Sequence, residues 1–403
     1  MGSIDHIMSR NKRDTSSDGR TEKRANRRTF LGTSAAVGAG LLAGCTGGGG
    51  GLIGGSSSGG NNSGGSSSAT MTYATPYTLD AEQYVPIMQP EFKENVENAT
   101  NGDITVELAP GGQLGTGADL AQKVQQGTVE AAQISLSNFA PFASAVDLIN
   151  MPYFASTNQE FVNLATSDIW QERIESSIRE NGYEVAYYID IDPRSIATGP
   201  SFPPGQTPPL TPQDMQGIKH RIPGSDLLQT AWNLAGANPS PIDWSETPTA
   251  LEEGVAESTH NAPSFHPAFG FTDIITNEVP LFAVVDAQVA AMNLQWYQSL
   301  SSDLQDSLDQ AAEQTFRQNL EKVAETRQNA YDTLTEAGVE YHALDDGQIQ
   351  QWQDAMGYQR PEWEQAKKDL AGGLDEFERF EQATSQKSEY DASALDVDAL
   401  KSS

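Results

Sequence analysis

A single cysteine, Cys45, in 403 residues excludes any internal disulfide. Basic residues are scarce as well. There are 24 Lys and Arg against 55 Asp and Glu; eight of the basic and four of the acidic residues precede Cys45, so the remainder carries a formal charge of −35. A charge of that size excludes nucleic acid as a natural partner. It reads as a salt-adapted surface, because at molar salt the Debye length is about 3 Å and self-repulsion is screened while hydrated carboxylates keep the chain in solution. Long apolar runs are missing too: the stretch from Phe30 to Gly44 is shorter than the ~20 residues a spanning helix needs. None of the five histidines sits in a metal-ligand spacing, so no metal site is expected, and His260 and His266 read as loop residues. No phosphate-binding glycine loop follows a strand, so no nucleotide cofactor is expected. Gly55-Ser56-Ser57-Ser58-Gly59 fits G-x-S-x-G but lacks the strand and helix that motif requires. No other nucleophile and base stand together, and nothing positive marks an enzyme.

What is present begins with the first 70 residues. Arg27 and Arg28 precede the apolar run, which ends in Leu42-Ala43-Gly44-Cys45. That order resembles a twin-arginine export signal closed by a lipobox, and it places the mature chain outside the cell membrane with a lipid on Cys45. From Thr46 to Thr70 the chain is almost wholly Gly, Ser and Asn, a flexible tether with a reach of roughly 25 to 30 Å.

Beyond the tether, 37% apolar residues supply a core, and short β-rich runs alternate with helical ones, which predicts an α/β fold with a largely parallel sheet. Strands are expected at 71–74, 104–108, 129–136, 184–191, 218–222, 240–243 and 255–258. Helices are expected at 81–96, delayed by Pro86 and Pro90, and at 118–126, 158–180, 227–235 and 248–253. A long helix over 303–337 repeats Leu304, Leu308, Ala312, Phe316 and Leu320 behind a capping box at Ser302, and Gly338 ends it. Its length suggests that it runs across two lobes. The segment from Thr384 onward reads as a frayed polar tail.

Arginine is the most informative residue in the folded part. Between Arg179 and Arg317 the only basic residues are Arg194, Lys219 and Arg221, and Arg221 stands inside an apolar strand. A guanidinium there needs an anion, either an internal carboxylate or the carboxylate of a ligand held by its planar fork. Ser137 and Asn138, just past the third strand, could complete a ligand's hydrogen bonds.

The run Gly217-Ile218-Lys219-His220-Arg221-Ile222-Pro223, then Ala235 to Glu246, Thr249-Ala250-Leu251 and Gly254-Val255, resembles the DctP-type solute receptors of tripartite ATP-independent periplasmic (TRAP) transporters, here in a salt-adapted, haloarchaeal form. Echoes at 110–115, 126–130 and 151–154 extend the resemblance over nearly all of 71–340. It implies a two-lobed clamshell that closes on a small organic acid and delivers it to an ion-driven permease. The lobes would be 71–193 with 286–337, and 194–285 with 338–383. It implies further that Arg221 grips the ligand carboxylate, with Arg194, Trp244 and Asn261 as further contacts. Glu257-Ser258-Thr259-His260-Asn261-Ala262-Pro263 departs from the family's usual Asp-Gly-x-Glu-Asn-Pro, and Thr247-Pro248 replaces Val-Tyr. A solute-binding lipoprotein of an ATP-driven importer shares this logic, and a surface-anchored hydrolase is the reading from another class.

Overall fold

The computed structural model describes residues 68–392 apart from residue 204. Arg27, Arg28, Cys45 and almost all of the tether lie outside the described residues. Nine strands are seen among those described: β1 (Ala69–Ala74), β2 (Ile104–Ala109), β3 (Ala131–Ser135), β4 (Tyr183–Thr198), β5 (Lys219–Ile222), β6 (Asn238–Pro241), β7 (Ser258–Asn261), β8 (Asn277–Asn293) and β9 (Glu340–Tyr341). They join in the order β2-β1-β3-β8-β4-β7-β5-β6, with β9 on β8.

Two parallel trios flank a central antiparallel pair. β2, β1 and β3 run parallel and meet β8; β6, β5 and β7 run parallel and meet β4. The central pair, β4 and β8, is long enough to serve both halves. Tyr183 to Asp190 pair with Ala287 to Asn293 in the first half, and Ser195 to Thr198 pair with Asn277 to Pro280 in the second. The parallel trios were legible as strand-helix alternation. The antiparallel pair was not, because Pro193, Pro280 and Asp286 interrupt what would otherwise read as strands.

Those interruptions sit where the ladder itself breaks. Pro193 pairs with Val285 and Ser195 with Pro280, so Arg194 alone stands opposite residues 281–284, and Phe282 takes a left-handed φ of 51°. A proline lacks an N–H, which is harmless at such a bulge. The strand expected at 184–191 is therefore corrected: β4 runs on through Pro193 to Thr198.

Other expectations shift for local reasons. The strand predicted at 255–258 lies at 258–261, with Val255 57% exposed, so His260 and Asn261 are strand residues and His266 lies in the short helix Phe265–Ala268. The helix predicted over 158–180 breaks after Ala165, because the Ser167 hydroxyl caps a fresh start by accepting from Trp170 N. The long helix spans Ser302–Glu336, and its cap is Ser301 rather than Ser302. Leu304, Leu308, Ala312 and Phe316 bury its stripe, each large side chain stabilising by about 1.5 to 3 kcal/mol.

The same helix also braces β4. Asn319 accepts from Asp190 N at 2.8 Å and donates to Asp190 O at 3.0 Å, and Arg327 pairs with Asp192. These side chains satisfy β4 where its register with β8 slips. The segment after Thr384 is packed rather than frayed as far as the structure describes it: the Tyr390 ring lies 5.1 Å from Phe316, and Ala392 is buried.

Candidate functional site

Alternation along β5 sends His220 and Arg221 to opposite faces of the sheet. His220 packs 4.0 Å from the Trp232 ring, its Nδ1 lies 2.7 Å from Ser258 Oγ, and His260 is on the same face. Burial holds His220 down to about 3, with Arg221 adding to the effect, and burial likewise holds His260 well below the usual range. Both are neutral core residues.

Arg221 turns the other way. Its Nε donates to Ile242 O at 2.9 Å and its Cζ lies 5.5 Å from the Trp244 ring centre. It is 3% exposed, and no carboxylate pairs with it among the described residues. Burial first, and Arg194 second, push its guanidinium down to about 9, so it stays charged at neutral pH.

Arg194 is the residue that the bulge sets apart. Its Nε lies 3.2 Å from Asp286 Oδ2 and its Nη2 donates to Ser137 Oγ at 2.9 Å, while Nη1 has no partner. From Ser137 the bonds continue through buried groups. Ser137 Oγ donates to Asn150 Oδ1 at 2.9 Å, and Asn150 Nδ2 donates to Asp147 Oδ1 at 2.7 Å. Ser225, which caps the helix Asp226–Leu234, donates to the same oxygen of Asp147 at 2.7 Å. Arg194 is thereby tied to the first turn of a helix in the other half of the sheet.

Next to the arginines lies a cavity of about 220 Å³. Tyr77, Trp244, Phe269 and Phe271 form its aromatic wall, with Trp244 stacked on Phe271 at 4.9 Å and 16°. Gln133, Asn138 and Asp243 are among its polar lining residues. The arginines are not part of the wall but adjoin it at Tyr77 and Trp244. Tyr77 feels both guanidinium groups, and burial together with Asp286 pushes its phenol up, so it remains a neutral donor, bonded to Gln288 Oε1 at 3.0 Å. Gly117 sits where the two halves face each other: its φ is +51°, and a Cβ there would lie 3.7 Å from Asn138 Nδ2 and 3.9 Å from Asp243 Oδ1.

The structure thus gathers Arg221, Arg194, Trp244, Ser137 and Asn138, with Asn138 and Trp244 on the cavity wall and Ser137 behind Arg194. Asn261 is placed otherwise. Its Oδ1 accepts from Thr259 Oγ1 at 3.1 Å, its Nδ2 donates to Ala262 O at 3.0 Å, and it lies 2.9 Å from His266 Nε2, away from the lining. Tyr77, Gln133 and Asp286 went unread in the sequence. The available signal was a lone polar residue inside an apolar run, as at Gln133 in β3 and Asp286 in β8.

A serine, a histidine and an acid also meet in the core, but in the wrong order for hydrolysis. Ser195 Oγ donates to Glu278 Oε2 and His266 Nδ1 pairs with Glu278 Oε1, so the carboxylate separates hydroxyl from imidazole, and all three are buried.

Two half-sheets joined by shared strands, with a cavity and two arginines between them, define a two-lobed solute-binding protein. The chain belongs to the DctP family of bacterial extracellular solute-binding proteins, family 7, whose sequence profile matches residues 81–368. It is 29% identical over 186 residues to a solute-binding protein of Roseobacter denitrificans, covering 46% of this chain and 54% of that one. It is 27% identical over 275 residues to the C4-dicarboxylate-binding periplasmic protein DctP of Rhodobacter capsulatus, covering 66% and 78%. The fold is similar to the crystal structure of a TRAP periplasmic solute-binding protein of Roseobacter denitrificans with bound β-D-glucuronate, at a TM-score of 0.70 and 19% identity, covering 79% of this chain and all of that one.

Proposed function

We propose that the protein is an extracytoplasmic receptor that captures a small organic carboxylate between its lobes and delivers it to an ion-gradient-driven TRAP permease. The observation that carries this is Arg221, a buried guanidinium with no carboxylate partner among the described residues, standing against the wall of an interlobe cavity. The cavity, below the ~300–1,000 Å³ of drug-sized sites, suits a small metabolite. Relatives whose names and structures record dicarboxylate and glucuronate binding support an anionic ligand. In this reading Arg221 pairs with the carboxylate, Arg194 supplies its free Nη1, and Trp244 covers the ligand. Asn138 completes its hydrogen bonds and Ser137 holds Arg194, while Asn261, bonded to Thr259, Ala262 and His266, is left out of the contact set.

Removal of Arg221 leaves a ligand carboxylate buried without a counter-charge, a loss of about 3 to 5 kcal/mol. Calorimetric titration of wild type and Arg221→Ala with a panel of small carboxylic acids tests it; near-native affinity in the variant would falsify the assignment.

The same reading places the receptor on the outer face of the cell membrane, exported through Arg27 and Arg28 and held by a lipid on Cys45. None of the described helices is long and apolar enough to cross a membrane. A lipid and a Gly/Ser tether keep such a receptor near its permease at a raised effective concentration. Cys45→Ser should release the protein into the medium, and a variant that stays with the membrane fraction would count against the anchor.

A further inference from the structure

We propose that the cargo is an acid with a single carboxylate and several hydroxyls, and that Asp243 is the side chain that turns a second carboxylate away. This rests on the reading that Arg221 takes the ligand's carboxylate.

The argument starts from the charges around the cavity. Arg194 is already matched by Asp286 at 3.2 Å, and Asp243 lies within the electrostatic reach of Arg221. Arg221 is left as the guanidinium without a carboxylate partner, and among the described residues Asp243 is the only charged one on the cavity wall. A ligand with one carboxylate spends its charge at Arg221. A second carboxylate would lose water against a wall that offers it no cation and one anion, which is unfavourable.

The remainder of the wall suits neutral polar groups. Gln133, which lines the cavity, is fully buried; its Oε1 accepts from Thr75 Oγ1 at 3.3 Å, and its Nε2 has no partner among the described residues. A buried amide donor left in this way calls for a ligand acceptor. Asn138 adds a donor and an acceptor, and the Asp243 carboxylate, which makes no hydrogen bond or ion pair among the described residues, accepts from a hydroxyl. Opposite them, Trp244 and Phe271 present flat apolar faces, and a hydroxylated carbon skeleton has C–H edges to set against such faces. Because the Asp243 side chain is exposed and makes no capping hydrogen bond, Asp243→Asn leaves the fold intact.

The test is calorimetric titration of the purified full chain with D-gluconate and D-glucarate, which share a hydroxylated six-carbon skeleton and differ by the second carboxylate. Wild type, Asp243→Asn and Arg221→Lys are compared. Gluconate is expected to bind at least tenfold more tightly than glucarate, and Asp243→Asn to shrink that ratio at least fivefold, mainly by improving glucarate. Glucarate binding as well as gluconate to wild type, or an unchanged ratio in Asp243→Asn, overturns the proposal. So does succinate binding where gluconate does not. Arg221→Lys separates this from failure of the parent reading: if gluconate binding survives undiminished there, the carboxylate assignment itself has failed and the Asp243 proposal goes with it. If binding weakens in Arg221→Lys but glucarate is preferred by wild type, only the Asp243 proposal is lost.

Discussion

The Ser225 hydroxyl donates to Asp147 Oδ1 at 2.7 Å, and Leu227 N lies 3.4 Å from the other oxygen, so a carboxylate from the segment after β3 closes the first turn of a helix that follows β5. Asp147→Ala would leave a buried hydroxyl and a backbone N–H without their acceptor, at about 1 to 3 kcal/mol each, read as a lower urea midpoint.

Asp147 also has a pH signature. Burial pushes its carboxyl above the usual range, against the pull of Ser225 and Asn150. A native pKa above the unfolded value, about 3.9, means that the fold holds the proton better than the unfolded chain does. The residue's stability cost is absent in acid, builds as pH rises through that value and is complete above the native pKa. The melting temperature of wild type relative to Asp147→Asn should therefore rise as pH is lowered from 7 toward 4; a constant difference would sink the assignment.

His220 and His260 act in the opposite sense. Their native pKa values lie below the unfolded ~6.5, so below that pH the unfolded chain takes up protons that the native state refuses. Each histidine then removes about 1.4 kcal/mol of stability per pH unit, over a window that for His220 runs from ~6.5 down to about 3. Both ring nitrogens of His260 lack partners, so His260→Leu should be mild at pH 7 and flatten the acid slope. An unaltered slope in that variant would move the effect to other residues.

Asp286 balances the charge of Arg194 in the core. Asp286→Ala strands a buried guanidinium, and denaturant unfolding should show a loss of about 3 to 5 kcal/mol. A loss under 1 kcal/mol would mean that water or another carboxylate takes over.

Trp244 is half-buried and touches Phe265, Phe269 and Phe271 while covering the cavity. Trp244→Ala should weaken carboxylate binding at least tenfold, about 1.4 kcal/mol, with the circular dichroism spectrum unchanged. Full affinity in a folded variant would reduce the indole to packing.

Much of this architecture was legible because local rules agree with one another. The helix at Ser302–Glu336 shows a four-residue apolar repeat and a glycine stop, and the parallel trios alternate with helices in the expected order. β8 was illegible since Pro280 and Asp286 break its pattern, and both have tertiary reasons: one falls at a bulge, the other meets Arg194. Arg221 stood out as a charge in an apolar strand, whereas Asp243 did not, because an exposed acid in so acidic a chain carries no signal. His260 does not read as a strand residue because the strand that holds it begins three residues later than its β-rich run suggests.

The sharing of β4 and β8 has a consequence for how the chain is made. β3 ends at Ser135, yet its antiparallel partner is supplied by Gln288 to Met292, about 150 residues later. During synthesis the first three strands wait with an open edge while the whole second half emerges, an arrangement of distant pairings that slows folding and exposes a strand to strangers. Neither lobe can be finished before the other has been threaded through it, so a truncation anywhere before β8 yields no half-receptor, only an incomplete sheet.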